Sequence, residues 1–354
     1  MSLSLCVKKT MAIAAEPAKR LSTQLGLGGA PFGNLFRAAS DEAAVATIRH
    51  ALLAGVGYFD TAPHYGNGLS EHRFGAALRD VPRDRYVLST KVGRLLGSDP
   101  NAPRKQHGYV DVLPFVQRYD YSHDGTLRSL EDSLRRLGTA RVDLAYVHDM
   151  DVATHGADQP ARFREAMNGA LPALAGLKTE GVLGGYGIGV NDVQICCDTL
   201  AATDVDIILL AGRYTLADQS ALSTLLPECR RRNVAVVAGG PFNSGILATG
   251  ARPRDGSAPY FNYAPAPEPI VARVAAIESA CVQHAVPLQA AALQFPAAHP
   301  AVINVLVGAR SVAELDADLA YARFPIPVEF WQTLRERGLI DPAAPIPGES
   351  TSAA

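Results

Sequence analysis

Apolar residues along this chain gather into eight short runs: Gln24–Gly28, Gly57–Asp60, Tyr86–Lys91, Val142–Val147, Gly184–Val190, Ile207–Ala211, Val234–Ala238 and Val302–Val307. Several lack the polar alternation of a strand with one wet face, which is the pattern of strands buried on both faces. Stretches of helical period lie between them. Phe163, Met167, Leu171, Leu174 and Leu177 fall at three- and four-residue steps within Phe163–Glu180 and share one helix face. Asp41–Ala54 opens on an acidic pair and ends before Gly55, and Ala221–Arg232 and Ile270–His284 repeat the pattern. Strand then helix, eight times over, predicts an α/β fold, a single-domain (β/α)8 TIM barrel. A doubly wound open sheet is the alternative. If it bound a dinucleotide it would carry a G-x-G-x-x-G turn after its first strand, and that spacing is absent.

Two connections are long, Gly93–Ser122 and Gly240–Pro269, and they predict binding loops or lids at the C-terminal face of the barrel. The expected boundaries are a disordered extension over 1–20, the barrel over 21–341 and a flexible tail over 342–354, rich in Pro, Ala and Ser.

Composition narrows the function classes. The formal net charge is −2 and no basic block occurs, so no nucleic-acid partner is expected. No apolar run reaches the ~18 residues that suggest a membrane span. The five cysteines, Cys6, Cys196, Cys197, Cys229 and Cys281, form no C-x-x-C pair. Together with the absence of a long apolar stretch in Met1–Arg20, they suggest reduced thiols in a cytoplasmic protein. No G-x-S-x-G elbow or H-E-x-x-H motif supports a hydrolase.

A barrel of this kind carries its chemistry at the C-terminal ends of its strands. At or just beyond the ends of the runs stand Asp60 and Tyr65, then Lys91, His148, Asn191, and Arg213 with Tyr214, all expected on one rim. Asp60, Tyr65, Lys91 and His148 make chemical sense together. A phenol with an ordinary pKa of ~10 is a poor base near neutrality. A nearby ammonium favours the phenolate and lowers that value by ~1–3 units. Lys91 supplies the ammonium, Asp60 holds it, and His148 orients the substrate oxygen. His64 reads as a loop histidine lining the pocket. Asp149 and Asp151 beside His148 lack the separate ligands of a built metal site, so no metal is expected. Cys196-Cys197 sits on an expected helix and reads as packing.

These segments resemble the aldo-keto reductase family. The resemblance rests on Tyr58-Phe-Asp-Thr-Ala-Pro-His-Tyr-Gly66, Ser89-Thr-Lys91 and Val142-Asp-Leu-Ala-Tyr-Val-His148, and runs from Leu25 to about Leu339. It implies a barrel that binds NAD(P) in extended form without a Rossmann domain, with Asp60, Tyr65, Lys91 and His148 as catalytic residues. Gly28-Gly-Ala-Pro-Phe-Gly-Asn34, Ser89-Thr-Lys-Val-Gly-Arg94, His148-Asp-Met-Asp151, Leu210-Ala-Gly-Arg-Tyr-Thr215 and Gly239-Gly-Pro-Phe-Asn-Ser-Gly245 are similar to the D-threo-aldose (L-fucose) and pyridoxal dehydrogenase branch.

The resemblance implies cofactor contacts from Gly29, Asn191, Gly240, Pro241, Phe242, Ser244, Gly245, Gly308, Arg310, Glu314 and Asp318. Within it, Val307-Gly-Ala-Arg-Ser311 would hold the adenosine half. A carboxylate at Glu314 would accept ribose hydroxyls and repel a 2′-phosphate, so NAD is expected, with NADP as the alternative. The competing reading makes Glu314 a first-turn helix residue. Two positions depart from the family pattern: Gly239 stands where many relatives place an aromatic against the nicotinamide, and Gly189-Val190-Asn191 displaces the carboxamide-binding asparagine.

The implied function is oxidation of an aldose, such as L-fucose or another D-threo-aldose, at C1 to the lactone. The alternatives are an NADPH-dependent aldehyde or ketone reductase, a pyridoxal 4-dehydrogenase, or a non-catalytic cofactor-bound regulatory subunit. The expected partner is a small sugar or aldehyde.

Overall fold

The computed structural model describes residues 25–349. The expected extension over 1–20, Gln24 and Cys6 therefore lie outside the described residues. Eight strands form a closed barrel: β1 (Leu25–Gly28), β2 (Tyr58–Asp60), β3 (Val87–Val92), β4 (Leu144–His148), β5 (Gly185–Val190), β6 (Ile207–Ala211), β7 (Ala235–Gly239) and β8 (Val302–Val307). Each pairs in parallel with its neighbours in sequence, and β8 closes on β1. The expected runs and the observed strands differ by no more than two residues at either end among the described residues.

Alternation across each strand sorts the core into two parts. Tyr58, Val87, Tyr146, Ile207, Leu209 and Val237 belong to a small cluster that fills the barrel. Phe59, Leu88, Val147, Ile208 and Val236 point the other way and join the larger cluster shared with the helices. Both faces of every strand are therefore dry, which is why the runs lack polar alternation.

The helices follow their start signals. Asp41–Leu53 opens at Ser40, whose Oγ accepts the Ala43 N–H at 3.2 Å. The expected Phe163–Glu180 helix runs as Gln159–Thr179, with one wider π turn at Ala166–Ala170. The expected Ala221–Arg232 helix begins only at Leu225, because Ala221 to Thr224 form a turn.

Both long connections carry antiparallel hairpins. Arg94–Ser98 pairs with Phe115–Tyr119, and Lys105–Gln106 with Tyr109–Val110, in the first. Tyr260–Phe261 pairs with Ala264–Pro265 in the second. The segment read from composition as a tail is packed over 342–349: Ala344 and Ile346 are buried, and Arg335 pairs with Glu349 at 2.8 Å. Among the described residues no helix is long and apolar enough to cross a membrane.

Candidate active site

Asp60 ends β2 and pairs in register with Ser89 on β3, and Lys91 lies two residues further along the same face. The Lys91 ammonium spends its three donors on Asp60 Oδ2 at 2.5 Å, the Thr61 carbonyl at 3.0 Å and Tyr65 Oη at 3.0 Å. Ser89 Oγ donates to the other Asp60 oxygen at 2.6 Å. Tyr58 Oη, 2.9 Å from Ser89 Oγ and 3.0 Å from Tyr146 Oη, extends this chain into the barrel interior. Asp60 and Lys91 are each 1 % exposed, so the pair is sealed from water.

Burial raises the Asp60 carboxyl above its ordinary value, while Lys91 and Ser89 pull it down. Burial also pushes the Tyr65 phenol well above its ordinary range, and the Asp60 charge adds to this. This corrects the expectation that Lys91 leaves the phenol lowered. The ammonium is already neutralised by Asp60, so Tyr65 meets the field of an ion pair rather than a lone cation, and desolvation prevails.

His148 ends β4. Burial first, then the charges of Lys91 and Arg94, hold its imidazole well below its ordinary pKa, so the ring is neutral. It packs edge-on against Tyr65 and His64, with ring centroids 6.0 and 5.7 Å away. Its Nε2 lies 3.3 Å from Asp149 Oδ2, and its Nδ1 is buried without a partner among the described residues.

The hairpin after β3 closes one side of the site. It starts at Gly93, whose φ of +101° suits glycine and whose missing Cβ leaves room for the Tyr121 ring; a Cβ there would sit 2.2 Å from that ring. Arg94 then turns inward to Asp149 Oδ2 at 2.5 Å, Gln117 Oε1 at 3.0 Å and Tyr119 Oη at 2.9 Å. His64 Nδ1 lies 2.9 Å from the same Gln117 oxygen and donates to it. Burial and Arg94 push His64 down to about 3, so it lines the pocket as a neutral ring. Tyr109, on the inner hairpin, stacks on Tyr65 with centroids 6.1 Å apart. These groups border a cavity of about 540 Å³, which also reaches Asn191, Leu209, Ala211 and Tyr263.

The other rim residues divide. Arg213 donates to Asn262 Oδ1 at 2.6 Å and pairs with Asp218 at 3.3 Å. Tyr214 is corrected outright. It is 1 % exposed and packs on Phe295 and His299 in the core, away from the rim. Gly29 follows β1 at a close approach, where a Cβ would meet Ser70 Oγ at 2.5 Å and the Asp60 carbonyl at 2.8 Å. Pro241 is buried and Phe242 packs on the core.

Gly240, Asn243, Ser244 and Gly245 have φ of +59°, +43°, +59° and +109°. The Asn243 and Gly245 N–H groups donate to the Gly240 and Phe242 carbonyls, both at 3.0 Å, so the segment is a tight turn whose amides are partly spent. Ser244 Oγ accepts the Tyr263 N–H at 2.9 Å. Asn243, missed in the sequence, bonds Thr215 Oγ1 and donates to the Gly212 carbonyl at 3.0 Å, tying the loops after β6 and β7 together.

Gly308 sits against Pro31 in the loop after β8. Arg310 donates from Nη2 to the Leu35 carbonyl at 3.4 Å and leaves Nε buried without a partner among the described residues. Glu314 is exposed in the first turn of Val312–Ala322, and its carboxylate accepts the Arg310 backbone N–H at 2.8 Å. It thus closes onto the start of the helix while staying exposed to solvent. Asp318, one turn on, is pushed up to about 7 by burial and by Glu314. The orphaned Arg310 Nε, in the loop after β8, fits an anionic group of a dinucleotide.

Residues 24–338 match the sequence profile of the Aldo/keto reductase family. The chain belongs to that family. This aldo/keto reductase is 44 % identical to the pyridoxal 4-dehydrogenase of Microbacterium luteolum, over 90 % of this chain and 94 % of that one. It is 40 % identical to the D-threo-aldose 1-dehydrogenase of a Pseudomonas species, over 92 % and 97 %. The holo form of an aldo-keto reductase from Bacillus halodurans superposes with a TM-score of 0.67 at 25 % identity, covering 92 % of this chain and 94 % of that one. The protein is therefore an NAD(P)-dependent oxidoreductase, related to aldose and pyridoxal dehydrogenases.

Proposed function

We propose that this aldo/keto reductase oxidises an aldose of the D-threo type at C1 to its lactone, with NAD preferred. The observation that carries this reading is the Asp60–Lys91–Tyr65 chain, 2.5 and 3.0 Å long, opening beside His148 into a polar cavity. A wall of His64, His107, Tyr109 and Tyr119 suits a ligand with several hydroxyls.

Oxidation at C1 removes a hydride from carbon and a proton from the hydroxyl. The nicotinamide, when bound, supplies the hydride acceptor. Tyr65 Oη takes the proton, and the Lys91 ammonium, 3.0 Å away, stabilises the phenolate that must exist just before. His148 donates to the reacting oxygen and holds it over Tyr65. Arg310 and the turn at Gly240–Gly245 would hold the diphosphate, and Asn191, which lines the cavity, would reach the carboxamide. Preference for NAD rests on Glu314: even as a helix-end acceptor, its negative charge opposes a 2′-phosphate nearby.

The aromatic lining supports a second substrate. Tyr65, Tyr109 and Tyr119 border the cavity, and an aromatic rim suits a pyridine ring such as that of pyridoxal. Initial rates with D-threo-aldoses and with pyridoxal, each under NAD and NADP, test both readings. Turnover of an aldose at the higher kcat/KM under NAD is expected. Preference for pyridoxal transfers the assignment to the second reading, and reduction of simple aldehydes under NADPH alone rejects both.

A further inference from the structure

We propose that Arg94 and Asp149 are a positioning pair that holds His148 in the tautomer with its proton on Nε2, so that this N–H faces the substrate oxygen. The inference deepens the reading of His148 given above and rests on it.

Three observations converge on the ring. Asp149 Oδ2 lies 3.3 Å from Nε2, a charge contact rather than an aligned hydrogen bond. A carboxylate there attracts an N–H and repels a lone pair. Nδ1 is buried without a partner, so a proton on Nδ1 would leave a donor unsatisfied. Both effects favour the same tautomer. Because the N–H is not aligned on Asp149, it stays free for a ligand in the cavity.

Asp149 is held with unusual care. Its φ is +48°, a left-handed conformation rarely adopted by residues other than glycine. Tyr121 Oη sits 2.7 Å from the His148 carbonyl and 3.0 Å from the Asp149 carbonyl, and the Asp149 N–H donates to the Gly189 carbonyl at 3.2 Å. Arg94 donates from Nη2 to the same Oδ2 at 2.5 Å and so fixes the oxygen that faces His148. Arg94 as a whole is 4 % exposed, and its guanidinium lies 4.7 Å from the centroid of the Tyr119 ring, so it has little freedom to release its partner. The other titratable groups facing the imidazole are the protonated Tyr65 and the neutral His64, both after β2, and Lys91 on β3. Lys91 and His64 oppose an imidazolium, leaving tautomer rather than charge as the variable.

The test uses the full-length protein labelled with 15N at histidine. Long-range proton–nitrogen correlation spectra should show His148 protonated at Nε2 in the wild type near neutral pH. Asp149→Asn removes the charge and keeps a side chain that tolerates the left-handed backbone. It should mix the tautomers and lower kcat by roughly 10- to 100-fold, the usual reach of a supporting contact, with KM within about threefold. Arg94→Gln should behave likewise, and Arg94→Lys should recover part of the loss.

A His148 protonated at Nδ1 in the wild type overturns the proposal, and this measurement needs no variant to fold. So does an Asp149→Asn protein with an unchanged tautomer, or one with raised KM and unchanged kcat, which would make Asp149 a substrate contact. Absence of aldose turnover in the wild type would reject the assigned function while leaving the tautomer result to be read separately.

Discussion

Replacing Lys91 by methionine removes the ammonium and leaves the Asp60 carboxyl 1 % exposed, with Ser89 as its remaining polar side-chain partner. A lone buried carboxylate escapes its desolvation cost by taking a proton. Burial already raises the Asp60 carboxyl in the wild type, and the variant loses the Lys91 charge and hydrogen bond that pull it down. The folded-state pKa therefore lies further above the unfolded value, so the folded variant binds a proton that the unfolded chain gives up. Stability is retained below the unfolded value of ~3.9 and is lost as pH rises toward the folded one.

As long as the folded variant keeps that proton, holding it costs about 1.5 kcal/mol at pH 5 and about 4 kcal/mol at pH 7, at 1.36 kcal/mol per unit. The upper figure agrees with the ~3–5 kcal/mol seen when one partner of a buried ion pair is removed. With ~2.1 cal/mol/K of unfolding entropy per residue, a chain of 354 residues unfolds with about 0.7 kcal/mol/K. The acid-linked part of the Tm loss is then roughly 2 °C at pH 5 and 6 °C at pH 7. The lost contacts to Thr61 and Tyr65 add a part that does not vary with pH. Calorimetric scans of wild type, Lys91→Met and Asp60→Asn/Lys91→Met at both pH values measure this. The double variant has no charge left to bury and should lose the pH-dependent part. An equal Tm loss at both pH values, or a double variant with the same pH dependence as the single, refutes the reasoning.

The remaining predictions are smaller. Tyr65→Phe should keep its cofactor titration curve and lose at least ~10²-fold in kcat; near-normal turnover removes Tyr65 from its role. In the oxidising direction the wild-type rate should climb with pH above neutrality, because burial keeps the phenol protonated and the phenolate is the base; a flat profile from pH 6 to 10 contradicts this. Glu314→Gln should improve NADP affinity several-fold and leave NAD nearly unchanged; tighter NADP binding by the wild type would show the reading of Glu314 to be wrong. Tyr214→Phe deletes a buried hydroxyl without a partner among the described residues, so Tm should hold or rise, whereas Tyr121→Phe deletes the donor to two carbonyls and should cost ~1–3 kcal/mol. Equal Tm changes in these two variants would reject that distinction.

The barrel was legible because burial on both faces of a strand leaves a one-dimensional trace. β6 and β8 have the limits the apolar runs indicated, and the other strands shift by a residue or two where pairing with a neighbour, rather than hydropathy, decides the end. The proposed catalytic residues were legible for a related reason. Asp60, Lys91 and His148 each lie at or next to the end of a strand, and parallel strands in register bring their ends to one rim.

What sequence could not decide was distance across loops and the loss of water. Arg94 and Asp149 are 55 residues apart and meet because the hairpin after β3 folds back at Gly93. Tyr214 comes after β6 as a rim residue should, yet its ring goes to the core, where Phe295 and His299 receive it. Glu314 is a carboxylate near a cofactor segment in the sequence, and in the fold it also accepts a backbone N–H. The Tyr65 phenol rises where Lys91 alone would lower it, because a pKa reflects the balance of every nearby charge and the water excluded around it. Periodicity along a chain determines which face of an element is dry. Only the packed structure determines which loops close over that face, and the pairing of charges and the cost of desolvating them depend on that closure.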